Sequence, residues 1–111
     1  MVERTIVDSV KRYISELKNN AIPGSSVIIF GSQLSDNKNE WSDIDVLVVS
    51  PRFDGKGKYD DVLLLWRVAG RTDSRIEPVA CGVDQWEHDG ANVIVEVARR
   101  EGSRIAAAGS S

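Results

Sequence analysis

The sequence predicts a small α/β domain in which helices cover a short β-sheet. Apolar residues near the N-terminus recur at spacings of three and four, and two compact apolar runs rich in β-branched residues follow at 27–30 and 44–49. Hydrophobic content of 41% and charged content of 28% over 111 residues is the composition of one ordinary globular domain. A chain of this length buries somewhat under about 70% of its unfolded surface, enough for one core, so residues 1–111 are expected to form a single domain.

Each element follows from a local pattern. Val2, Ile6, Val7, Val10, Tyr13, Ile14 and Leu17 line one face of an amphipathic helix that the stretch 19–24 ends. The run 27–30 is a strand terminated by Gly31, and the polar stretch 32–42 is a loop. Residues 44–49 make a second strand, closed by Ser50 and Pro51 because proline cannot donate to a ladder. "RFDGKGKYDD" reads as a surface loop leading into a helix over 59–69, with Asp60 and Asp61 suited to its first turn. Val62, Leu65, Trp66 and Ala69 would form its buried face and Gly70 would stop it. Residues 75–81 form a third strand, "VDQWEHDG" a turn or short helix, 91–100 a last helix before Gly102, and 104–107 a short final strand. No internal repeat is present, and the only low-complexity stretch is the tail "AAAGSS".

Composition excludes several functions. Fourteen basic and seventeen acidic residues give a formal net charge of -3, with Lys and Arg scattered, which argues against an extended nucleic-acid surface. A single cysteine, Cys81, excludes an internal disulfide, and one histidine, His88, leaves too few soft ligands for zinc. Cys81 reads as a small buried hydrophobe, His88 as a surface residue and Trp86 as packing at the domain edge. No apolar stretch approaches the roughly 20 residues of a membrane span, and the start "MVERTIVDSV" lacks the apolar core of a signal peptide, so a cytoplasmic protein is expected.

Asp43 and Asp45 are the chemical puzzle, two carboxylates at the start of an apolar strand. Side chains alternate along a strand, so the two acids share one face, their Cα atoms about 6.5 Å apart, while Ile44, Val46 and Val48 share the other. Like charges this close repel unless a cation lies between them. Carboxylates without histidine or cysteine suit magnesium, which takes oxygen ligands and completes its shell with substrate phosphates. The competing reading is two strand-end aspartates bonded to local backbone, with Ser42 in a turn. Gly31 and Ser32 just upstream favour the metal, because a glycine permits close backbone approach and free N–H groups with a hydroxyl can seat a phosphate.

Gly31-Ser32, ten intervening residues and Asp43-Ile44-Asp45 resemble the signature of the nucleotidyltransferase superfamily that includes DNA polymerase β, in its minimal form (MNT). "VVSPRFDGKGKY", "LLLWRVAG", "RIEPVACGVDQW" and "VARREG" are also similar to stand-alone bacterial and archaeal members. The resemblance implies the nucleotidyltransferase fold, a small mixed β-sheet covered by helices. It implies Gly31, Ser32 and Ser42 on the nucleotide, Asp43 and Asp45 on two Mg2+ ions, and Glu77 as the third acid, completing the catalytic metal site on the acceptor side. The implied reaction transfers NMP, most simply AMP, from ATP or another NTP to a hydroxyl on a partner protein or RNA, by two-metal chemistry. Minimal members often pair with a small helical HEPN protein, with the MNT chain as antitoxin, and self-association is a further option. A non-catalytic MNT-fold subunit that covers such a partner is the alternative, and a metal-dependent phosphodiesterase a weaker one.

One segment departs from the pattern. The family continues its Gly-Ser with a small residue, an arginine and a glycine, whereas this chain reads Gln33-Leu34-Ser35-Asp36, and Asp36 and Glu40 make the loop acidic with only Lys38 to offset them. Arg52, Lys56 and Lys58 either supply positive charge from the next loop or form a solvated surface. Trp41, just before the acids, either packs into the core or stacks on a base.

Overall fold

The computed structural model describes residues 4–20, 22, 26–31, 43–54, 59–88 and 92–105. The N-terminal apolar stripe folds as α1 (Arg4–Asn19), which buries Ile6, Val10, Tyr13, Ile14 and Leu17 on one face. Its chain then turns back, Ile22 N–H donating to the Leu17 carbonyl at 2.9 Å, and enters strand β1 (Ser26–Phe30). Strand β2 (Ile44–Val49) lies antiparallel to β1, with Ser26 opposite Val49 and Phe30 opposite Asp45. Ser50 caps the short 3-10 helix Pro51–Phe53, its Oγ accepting from Arg52 N–H at 3.2 Å.

Helix α2 (Tyr59–Thr72) carries the chain back along the sheet to β3 (Ile76–Cys81), which pairs parallel with β2. Two helices follow, α3 (Val83–His88) and α4 (Val93–Glu101), and β4 (Ser103–Ile105) closes the sheet against β1. The strand order is β3-β2-β1-β4, so the mixed sheet is the one expected and β3, with Pro78 inside it, sits at an edge where a missing N–H is tolerated.

Period-two alternation splits the apolar residues between two cores. Val27, Ile29, Ile44, Val46, Val48 and Ile76 face α1 and α2, while Ile28, Leu47, Val49 and Cys81 face Val95 and Ala98 of α4, with Trp86 of α3 against them. Every residue of β2 from Val46 to Val49 is buried, as expected for an inner strand covered on both sides.

Three expectations need correction. Helix α2 runs through Gly70 to Thr72, because one glycine lowers helix propensity by only about 1 kcal/mol. Its buried face is Leu65, Val68 and Ala69, whereas Trp66 is 48% exposed: the sheet selects the stripe one position further round the helix. The last strand begins at Ser103, earlier than the sequence implied, with Ala106 and Ala107 outside the described residues. Cys81 is buried and His88 exposed, as expected, the latter with Nδ1 3.0 Å from Asp84 Oδ1. No described helix is long and apolar enough to cross a membrane.

Candidate active site

Strand β2 begins at Ile44, so Asp43 stands one residue before the ladder, exposed, and Asp45 is half-buried at its second position. Alternation puts Asp45 on the face of Leu47 and Val49, toward α3 and α4. Parallel register sets Glu77 of β3 directly beside Asp45, at the roughly 4.8 Å spacing of neighbouring strands. Ile44 N–H donates to the Arg75 carbonyl at 2.8 Å and fixes that register at its first step.

The acids feel one another. Partial burial, the charge of Asp43 and hydrogen bonding to Asp45 raise the Glu77 carboxyl above its usual range. A proton held by Glu77 relieves the repulsion among the three groups, and a cation between them would do the same.

Gly31 closes the site from β1. Its φ is +76°, a left-handed conformation that side chains other than glycine rarely adopt. A Cβ there would stand 3.2 Å from Asp45 Cγ and inside contact distance of Oδ2. The glycine is thus required twice, for the turn after β1 and for the room it leaves the Asp45 carboxylate. Phe30, directly across from Asp45, supplies an apolar neighbour on the same face. Phe30 is the site neighbour missed in the sequence, where its only signal is its place immediately before Gly31.

Four of the expected site residues, Gly31, Asp43, Asp45 and Glu77, therefore meet at one end of the sheet. Ser32 and Ser42 lie outside the described residues, as do Gln33, Asp36, Lys38, Glu40, Trp41, Lys56 and Lys58. Arg52 follows the far end of β2, a strand length of about 20 Å from the acids, and bonds Asp61 Oδ1 at 3.1 Å. Arg52 is the solvated surface residue of the two readings, and supplies no charge to the acids. A groove of about 580 Å³ between α1 and the end of α2 has none of the three acids in its described lining.

The donor set fits a divalent cation. Among the described residues no group of three acid, histidine or cysteine side chains is placed to hold a metal ion. Magnesium does not ask for one: it keeps several waters and binds through one or two carboxylates plus substrate phosphates, an arrangement that an open row of oxygen donors on two adjacent strands provides.

A family model described as a nucleotidyltransferase domain matches residues 7–79, well over half of the 111-residue chain and a span that holds all three acids. Among curated proteins no match is found.

Proposed function

The chain belongs to the nucleotidyltransferase domain family, and we propose that it acts as a magnesium-dependent transferase moving NMP, AMP foremost, from an NTP to a hydroxyl of a partner protein or RNA. The observation that carries this reading is the meeting of Asp43, Asp45 and Glu77 at one sheet end, with Glu77 perturbed by both aspartates.

Two Mg2+ ions held by these acids would neutralise the triphosphate and lower the pKa of the acceptor hydroxyl. Asp43 and Asp45 serve as the metal-binding carboxylates. Gly31 keeps the space beside Asp45 open for the nucleotide, with Ser32 and Ser42 assigned to the phosphates. Glu77, one strand over, takes the acceptor side, where a carboxylate oxygen would receive the hydroxyl proton. The new phosphorus–oxygen bond forms to the acceptor as the bond to pyrophosphate breaks.

The acceptor we place on a small helical HEPN-type protein, with this chain as the antitoxin of the pair. The likeness of its motifs to the minimal members supports that assignment. Incubation with α-labelled ATP, magnesium and the HEPN-type protein tests it. Label should appear on the partner with release of pyrophosphate and disappear in Asp43→Asn and Asp45→Asn. A wild-type protein that neutralises its partner without ever labelling it is a binding subunit and no transferase, and hydrolysis without pyrophosphate release marks a phosphodiesterase.

A further inference from the structure

Helix α2 carries an exposed apolar stripe that the chemistry does not use. Tyr59, Leu63 and Trp66 are 72%, 43% and 48% exposed, and with Gly70 they occupy positions i, i+4, i+7 and i+11, a single line along the helix. The opposite side of α2, through Leu65, Val68 and Ala69, is the one that meets the sheet.

Gly70 is the second observation. It sits inside the helix, where glycine costs about 1 kcal/mol relative to alanine, and a Cβ built on it meets nothing within 4 Å. Among the described residues nothing requires a glycine there, whereas the close approach of a large side chain from outside would. Charge is the third. Asp60 and Arg67, seven residues apart, lie on one flank of the stripe, acidic toward its start and basic toward its end.

The geometry points to a second copy of this chain as the occupant, its α2 packed antiparallel on the first about a two-fold axis midway between Leu63 and Trp66. In such an isologous interface each residue meets the one equidistant on the other side of the axis. Tyr59 then covers the open space at Gly70 of the other copy, and Leu63 packs on Trp66. Asp60 lies opposite Ala69, two residues along from Arg67 of the other copy and within reach of its long side chain, and each contact occurs twice. A parallel pair would set Gly70 opposite Gly70 and leave a gap there.

Light scattering after size exclusion, at concentrations up to about 100 μM where a modest helix-pair interface is populated, should give twice the 12.2 kDa chain mass. Trp66→Glu and Leu63→Glu should return the single-chain mass with an unchanged circular dichroism spectrum. Asp60→Arg should lower the dimer fraction severalfold, and adding Arg67→Asp to the same chain should restore it. Because Cys81 is buried, cysteines at the surface report alone: Tyr59→Cys and Gly70→Cys chains should cross-link when mixed and not separately. A single-chain mass throughout that range overturns the proposal, including the case in which a heterologous helical protein binds this face. A dimer that survives Trp66→Glu, or cross-links within either cysteine variant alone, overturns it equally. These readouts are independent of any transferase activity.

Discussion

Gly31 and Asp45 constrain each other atom against atom, and the consequence is testable at both. Gly31→Ala meets a positive φ and the Asp45 carboxylate together, so a loss of about 1–3 kcal/mol of stability is expected by urea titration, with activity falling at least as far. Glu77 should behave in the opposite way. Its carboxyl is raised by partial burial and by two neighbouring aspartates, so its ionised form works against folding. Stability from this group is present below its unfolded pKa and is lost as pH rises through the raised folded value. Glu77→Gln removes that repulsion and should raise the melting temperature of the metal-free protein at neutral pH while abolishing label transfer. A Tm lowered by the change would show that Glu77 is structural.

Among the elements, β2 carries the largest share, since it bears Asp45, follows directly on Asp43 and fills both cores behind them. Leu47 is fully buried between the sheet and α4, and Leu47→Ala should cost about 2–5 kcal/mol from lost burial and the cavity left behind. Smaller terms set the helices in place. Asn92 caps α4, its Oδ1 accepting from Val95 N–H at 3.2 Å, and Asn92→Ala should cost about 1 kcal/mol in the same titration. Tyr13 of α1 donates to the Leu65 carbonyl of α2 at 2.9 Å, and burial raises its hydroxyl well above the usual value, so it stays a neutral donor at any working pH.

For the whole molecule, the link between α2 and β3 is braced where it delivers Glu77 to Asp45. Asp73 is held by Arg75, whose Nη2 lies 2.7 Å from Oδ2, and this bond is the main reason its carboxyl drops to about 2. A folded value below the usual 3.8 means that the ionised group stabilises the fold above about pH 4 and that this contribution disappears as pH falls through 2. Asp73→Asn should therefore cost about 1 kcal/mol at neutral pH, after allowance for solvent screening, and flatten the acid limb of the stability curve between those values. Magnesium should raise the melting temperature at neutral pH, and the rise should shrink on acidification as protons compete for the three acids, a trend that differential scanning fluorimetry reads directly.

The order α, β, β, α, β, the boundaries of β2 and the pair Asp43 and Asp45 were all legible in the chain, because periodicity and strand alternation are local and need no partner. Glu77 was legible only through family resemblance, since nothing near "RIEPVA" shows that the acid will lie beside Asp45. The stripe of α2 was misjudged for a related reason: several faces of that helix are apolar, and only the sheet chooses which to bury, leaving Trp66 outside. The sequence by itself determined the α/β architecture, the acid pair and the glycine that precedes it. The tertiary structure decided the parallel β2–β3 register, the approach of Gly31 to Asp45 and the exposed face of α2, because each joins residues far apart in the chain, where the packing of whole elements and not local spacing sets the distance.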